Sequence, residues 1–172
     1  MNKFPSFEEV ALPHITAAYN LARWLTRNDH DAQDVVQEAY LRALKFFPGF
    51  RGSDGRPWLL KIVRNTCFTW LQRNRPREAA MVSEDEMDAV ESGEPDPEAL
   101  MLKKADEELL QRALAELPIE FREVVIMREL EGLSYREIAE VADIPIGTVM
   151  SRLARARTRL QQRLASNLHW EA

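Results

Sequence analysis

The chain has 172 residues, of which 45% are hydrophobic, and 23 basic residues against 28 acidic ones give it a formal net charge of −5. This hydrophobic content, with four tryptophans and seven phenylalanines, can build a packed core and excludes a wholly disordered chain. No apolar stretch is long enough to span a bilayer, and the amino-terminal residues lack the pattern of a secretory signal, so we expect a soluble, cytoplasmic protein without direct membrane insertion.

Helical periodicity alone is visible in residues 1–76, which we predict to form a first domain. Ser6 and Glu9 have the spacing of a capping box, and Pro13 should interrupt the helix that they begin. Beyond it, one apolar stripe is predicted at Ile15, Ala18, Ala22 and Leu25.

The next predicted helix, in "DAQDVVQEAYLRALKFF", has an apolar face at Val36, Tyr40, Ala43 and Phe47. Asp34, Gln37 and Glu38 point away from that face. The pattern fits a solvated surface, and a docking surface is the alternative.

A third helix is predicted from Pro57, with an inward stripe at Leu59, Ile62, Thr66 and Trp70. Lys61, Arg64 and Asn65 fall outside that stripe, and residues 51–77 hold seven basic residues against Asp54 alone. Nearby aromatic residues (Phe50, Trp58 and Phe68) suit single-stranded nucleic acid, whose bases stack on flat apolar groups. A structural role is the strong alternative, since tryptophans such as Trp58 and Trp70 more often belong to the core.

An acidic linker is predicted at residues 77–102, because residues 78–98 hold nine acidic residues, no basic residue and no aromatic residue. Without these nine, 23 basic residues face 19 acidic ones. The acidic balance therefore belongs to the linker, and a second helical domain is predicted at residues 103–168.

A helix-turn-helix unit is predicted within the second domain. Gly132 can end one helix, Ser134 and Glu137 form a capping box for a short helix to about Ala142, and Pro145 can begin a longer one. A short helix, a tight turn and a longer helix make the DNA-binding unit.

The longer helix separates an apolar face from a cationic one. Val149, Leu153, Ala156, Leu160 and Leu164 form the predicted core face, and Arg152, Arg155, Arg159 and Arg163 recur beside it, with Arg157 on another side. No acidic residue lies between 144 and 165 to pair with them. We therefore expect the charge to be met from outside, by the phosphates of duplex DNA.

Taken in order, "DAQDVVQEAYLRAL", "RPWLLKIVRNTCFTWLQR" and "LPIEFREVVIMRELEGLSYREIAEVADIPIGTVMSRLARAR" resemble bacterial RNA polymerase sigma factors of the extracytoplasmic-function group, of the sigma-70 family. The resemblance covers roughly residues 10 to 165. It implies an all-α fold, with sigma domain 2 at 1–76 and sigma domain 4 at 103–168 joined by the flexible acidic linker.

The resemblance also implies roles for three sets of residues. Docking on the β′ clamp helices of core RNA polymerase falls to Asp31, Asp34, Gln37, Glu38 and Leu41. Recognition and melting of the −10 element falls to Phe50, Trp58, Lys61, Arg64, Asn65 and Arg73. Recognition of the −35 element falls to Thr148, Met150, Ser151, Arg152, Arg155 and Arg157.

Further partners follow from the same resemblance: the β flap for apolar positions of domain 4, promoter DNA, and an anti-sigma factor. Two residues depart from the family pattern, Thr69 where many relatives have Asp, and Met150 where many have a cation. Met150 could touch a thymine methyl group instead.

No enzyme is expected, because the sequence has no nucleophile–base pair, phosphate loop or metal-ligand spacing. Cys67 is the single cysteine, and His14, His30 and His169 lie far apart, so neither a metal nor a cofactor is predicted. The first alternative is a helix-turn-helix regulator that binds an operator without polymerase, with residues 1–76 sensing a signal or dimerising. An enzyme acting on nucleic acid is the second.

Overall fold

The computed structural model describes residues 4–52, 54–74 and 107–170. These residues form helices joined by short turns, without a strand among them, which confirms the all-α prediction. The predicted linker at 77–102 lies outside the described residues.

The amino-terminal helices begin and end as the capping and proline signals predict. Helix α1 (Phe7–Ala11) follows Ser6, whose hydroxyl accepts the Glu9 backbone N–H at 3.2 Å. Pro13 then lies in a 3₁₀ turn at Leu12–His14, after which α2 runs over Ile15–Thr26. A proline has no N–H to donate to the α-helical hydrogen bonds, so the α-helix is interrupted there.

Two longer helices complete the part of the structure up to Asn74, which we call the first half. Helix α3 (Asp29–Phe46) begins at Asn28, whose side chain accepts the Asp31 N–H, and after a 3₁₀ turn α4 spans Gly55–Asn74. Helices α2, α3 and α4 pack against one another. At Gly55, α4 approaches α1 so closely that an added Cβ would stand 2.5 Å from the Val10 carbonyl oxygen.

The buried face of α2 differs from its predicted stripe. Ala18, Ala22 and Leu25 are buried as expected, but Ile15 is 48% exposed and Leu21 is fully buried. The structure places Ile15 in the first turn of α2, directly after the 3₁₀ turn, whereas Leu21 belongs to the hydrophobic core shared with α3 and α4.

The second half is formed by residues 107–170. It consists of α5 (Glu107–Glu116), α6 (Ile119–Val125), a π-helical turn at Ile126–Leu130, α7 (Tyr135–Ala142) and α8 (Ile146–Trp170). Gly132 has a φ of +67°, a conformation that glycine adopts without strain. The capping box at Ser134 and Glu137 is present in both directions. The predicted core face of α8 is confirmed, since each of its five residues is buried.

The two halves pack against each other in this structure. Helix α7 contacts α4, and α6 contacts α2. Buried residues from both halves form one continuous cluster, which includes Leu21 and Val63 from the first half and Phe121 and Ile138 from the second. Among the described helices, none is long and apolar enough to cross a membrane.

Candidate nucleic-acid interface

Helix α4 carries the cationic residues and the one amide residue that we predicted to contact −10 DNA. Asn65 and Arg73 are exposed and Lys61 is half-buried, so these three positions can be reached from solvent. Arg64 differs, because only 16% of its side chain is exposed. Its guanidinium lies over the Phe68 ring at 3.7 Å, and its Nη1 donates to the Asn65 side-chain oxygen at 3.2 Å.

Arg64 owes its burial to an ion pair with the second half of the chain. Its Nε donates to Glu123 Oε2 at 3.0 Å and its Nη2 to Oε1 at 3.3 Å. A guanidinium binds the two oxygens of a carboxylate or of a phosphate with this same fork geometry. The predicted −10 contact is therefore occupied here by a carboxylate of α6.

Glu123 is a fully buried charged residue that the sequence analysis did not single out. Burial raises the pKa of its carboxyl to about 7, and the charge and hydrogen bonds of Arg64 oppose that shift. Arg152 of α8 also favours the ionised form, whereas Glu120 disfavours it. The available signal was a charged pair, Arg122 and Glu123, set inside the apolar run from Phe121 to Met127.

Phe50 and Trp58 belong to an aromatic cluster beside the start of α4. Their ring centroids lie 5.0 Å apart, and Phe47 stacks on Phe50 at 6.1 Å and meets Phe7 at 5.6 Å. Both Phe50 and Trp58 remain half-buried. The cluster thus serves as packing and still offers a partly exposed aromatic surface next to the cationic helix.

The helix-turn-helix unit is built by α7, a tight turn and α8. Asp143 adopts the left-handed conformation at the turn, with a φ of 56°, and its backbone N–H donates to the Ala139 carbonyl. At the start of α8, Met150 is 52% exposed and Ser151 is also exposed. Thr148, Arg152 and Arg155 are half-buried beside them. These five predicted −35 residues lie within the first three turns of α8, near the start of the helix as in a recognition helix.

Arg157 is the member of the predicted −35 set that faces the protein. Its Nε and Nη2 donate to Glu129 Oε1 at 3.1 and 2.7 Å, and the two side chains are only 15% and 18% exposed. Arg163 likewise lies 3.0 Å from Glu116. The expectation that the arginines of α8 are met from outside therefore does not hold for these two, because acids from other helices meet them.

The residues predicted to dock on polymerase lie along α3. Asp34 and Gln37 are exposed, Asp31 and Glu38 are half-buried, and Glu38 accepts a hydrogen bond from Arg42 at 2.9 Å. Leu41 is 65% exposed, and Leu44 and Phe46, which we did not predict, are 54% and 56% exposed. The helix therefore presents acidic and apolar side chains together on its outer side.

The described residues contain no cluster of histidine, cysteine or acidic side chains able to hold a metal ion. Cys67 is fully buried, and burial raises the pKa of its thiol well above the ordinary value. A buried thiol with a raised pKa is a poor nucleophile.

Comparison with known families gives two matches, in the order that the sequence predicts. Residues 12–77 match the family described as Sigma-70 region 2. Residues 107–160 match the family described as Sigma-70, region 4. Together these matches cover most of the chain.

Two similar proteins illustrate the relationship. The "ECF RNA polymerase sigma factor SigE" of Mycolicibacterium smegmatis is 34% identical over 95% of this chain, which spans 63% of that protein's length. The "ECF RNA polymerase sigma-E factor" of Escherichia coli K12 is 38% identical, and the matched region covers 78% of this chain and 74% of the length of that protein.

Solved structures give the same fold. The sigma factor RpoE of Bartonella quintana, in complex with the anti-sigma factor NepR, superposes with a TM-score of 0.70 at 30% identity, covering 92% of this chain and 96% of its own. CnrH, in complex with the cytosolic domain of CnrY, has a TM-score of 0.64 at 24% identity, covering 93% and 88%. At that identity CnrH supports the fold alone.

Proposed function

The chain belongs to the sigma-70 family, in the extracytoplasmic-function group of RNA polymerase sigma factors, and we propose that it binds core polymerase and directs it to promoters. It is an initiation factor and not an enzyme. The observation that supports this function best is that two sigma regions stand in one chain, one with a cationic helix beside an aromatic cluster and one with a recognition helix.

The −35 element would be read as duplex by the start of α8. Met150 and Ser151 are the most exposed members of this set, so they are best placed to reach base edges in the major groove. Arg152 and Arg155 would supply cations to base edges or phosphates. Arg157 would act differently, by bracing α8 against the π-helical turn through Glu129.

The −10 element would be captured as single strand by α4 and the aromatic cluster. Lys61, Asn65 and Arg73 are accessible to phosphates, and Phe50 and Trp58 offer rings on which an unstacked base can lie. Arg64 would join this set only after leaving Glu123.

The polymerase would be held by α3 and by the second half. The acidic and apolar outer side of α3 (Asp31, Asp34, Gln37, Glu38 and Leu41) would dock on the β′ clamp helices, and apolar positions of α5 and α6 on the β flap. We place the protein in the cytoplasm, where the polymerase works, and expect an anti-sigma factor to cover these surfaces when the factor is off.

Transcription reconstituted from core enzyme, this chain and genomic DNA tests the proposal. Promoter-specific transcripts that need the chain are expected, and mapping their start sites would give the −35 and −10 sequences. The competing function is a regulator that binds an operator alone. Tight, specific binding of the chain to duplex DNA without core enzyme, together with no effect on transcription by core, would establish that regulator and overturn the sigma assignment.

A further inference from the structure

Arg64 cannot bind DNA in the arrangement that this structure shows. Two edges of its guanidinium are taken by Glu123 and Asn65, and one face lies against Phe68. The residue comes from α4 of the first half and its carboxylate partner from α6 of the second. Binding of a phosphate by Arg64 therefore requires that it leave Glu123.

Loss of the ion pair should cost more free energy at Glu123 than at Arg64. The carboxylate is fully buried, whereas the arginine retains 16% of its side-chain exposure and stands at the edge of the interface. Removal of one partner from a buried ion pair leaves an uncompensated charge, and this costs more than the pair itself contributes. Once Arg64 leaves, the buried carboxylate therefore favours separation of the halves.

Other polar contacts also cross the interface between the halves. Arg122 Nη1 donates to the carbonyls of Leu25 and Trp24 at 3.3 and 3.5 Å. Arg56 at the start of α4 donates to the Glu131 carbonyl, and the Glu131 side chain bonds Asn20 of α2. The charge of Arg56 also favours the ionised form of the Glu131 carboxyl, but its hydrogen bond goes to the Glu131 backbone carbonyl. Arg64 and Glu123 are bound to each other through their charged groups.

Resting on the proposed function, we propose that Arg64 is exchanged between Glu123 in a closed free chain and promoter phosphate in an open one. In the closed chain, Glu123 binds the part of the Arg64 guanidinium that a phosphate binds in the open chain. Capture of Arg64 by DNA then leaves Glu123 without its hydrogen-bonded partner and disfavours closure of the halves. Opening of the chain and binding of melted DNA are therefore coupled through one guanidinium.

Fluorescence transfer within the full chain tests the exchange without promoter or polymerase. Dyes are attached through Lys45→Cys and Gln162→Cys, which replace exposed residues of α3 and α8, while the buried Cys67 stays unlabelled. Wild type should give one compact population. At pH 8, Arg64→Ala should lower the ratio of closed to open chains at least about tenfold. Closing the variant either buries the Glu123 carboxylate without its hydrogen-bonded cation, with Arg152 contributing through its charge alone, or requires that Glu123 take up a proton.

A second substitution distinguishes exchange from simple damage to the interface. Adding Glu123→Gln to Arg64→Ala removes the uncompensated charge, so the double variant should close again, as removal of both partners of a buried pair is often nearly neutral. Arg157→Ala is the matched control, because its ion pair with Glu129 lies within one half. It should leave the transfer efficiency at the wild-type value.

Three results would overturn the proposal: an extended wild-type chain, Arg64→Ala as closed as wild type, or a double variant as open as the single one. The wild-type measurement stands even if a variant fails to fold. Failure of the proposed function shows separately, as absence of chain-dependent transcription, and does not change the transfer measured in the free chain.

Discussion

Arg157 and Glu129 form a largely buried ion pair in which one carboxylate oxygen accepts two guanidinium hydrogen bonds, at 3.1 and 2.7 Å. The pair joins α8 to the π-helical turn that follows α6. An arginine of the second helix of the helix-turn-helix unit is thus used to fix that helix on its own half of the protein.

Arg157→Ala should therefore destabilise the protein before it affects recognition. The change leaves Glu129, whose side chain is 18% exposed, without its cation, and we expect a loss of about 2 kcal/mol in the free energy of unfolding. Urea unfolding followed by circular dichroism measures it. Arg163→Ala breaks a pair in which both side chains are at least half-exposed, and should change stability by no more than about 0.5 kcal/mol. Equal stabilities of the two variants would contradict the bracing role of Arg157.

Arg155→Ala should lower transcription from promoters that depend on the −35 element. Arg155 lies half-buried on α8, one turn after the exposed Ser151, and loss of a base or phosphate contact typically costs about 1–3 kcal/mol, hence roughly tenfold in transcription. The measurement is a run-off assay with core enzyme. Binding to core enzyme should be unchanged. The control is Arg163→Ala, which removes an arginine further along the same helix that pairs with Glu116. Wild-type transcription from such promoters would refute the assignment.

Charge reversal on α3 should weaken the complex with core polymerase. Asp34→Lys with Glu38→Lys changes the acidic outer side of the helix, and we expect at least about a tenfold loss of affinity from the like charges introduced. Competition with a labelled sigma factor for core enzyme measures it. Glu8→Lys with Glu9→Lys makes the same change in net charge on exposed positions of α1 and should bind as wild type does. If both double variants bind equally, α3 is not the docking surface.

Stability should fall with rising pH through the titration of Glu123. Burial raises the pKa of this carboxyl from 4.5 to about 7, with Arg64 and Arg152 opposing and Glu120 adding to the shift. Between those pH values the folded chain holds a proton that the unfolded chain has lost. The contribution of a protonated Glu123 is therefore complete below about pH 4.5 and is lost as the pH rises through about 7, with a total of at most about 3 kcal/mol.

Glu123→Gln isolates this contribution, because glutamine does not titrate. The difference in unfolding free energy between wild type and variant should change by at most about 3 kcal/mol from pH 4.5 to pH 7.5. The wild type should become less stable relative to the variant as the pH rises. A difference that stays constant with pH would show that Glu123 keeps an ordinary pKa in the folded chain.

The features that the sequence predicted well are those fixed by residues close together in the chain. The caps at Ser6 and Ser134 and the buried stripe of α8 each depend on spacings of three or four residues, and the structure confirms them. The helical and two-region character follows from the same local patterns.

The features that escaped prediction depend on residues far apart in the chain. Arg64 and Glu123 are 59 residues apart, and Arg157 and Glu129 are 28 apart. No local pattern tells an arginine that meets DNA from one that meets a distant carboxylate, so Arg157 looked like its neighbours on α8. The exposure of Ile15 has the same origin, since the stripe that α2 buries depends on how α3 and α4 pack against it.

Arg122 has a consequence for how the halves can separate. Its guanidinium donates to Leu114, Ala115 and Leu117 at the end of α5 and to Leu25 and Trp24 at the end of α2, so one cation caps two helices from different halves. When the halves part, α5 keeps this cap and α2 loses it. The last turn of α2 should then fray, and its amide protons should exchange with solvent faster than those of α5, so the protection of that turn reports whether the two halves are together.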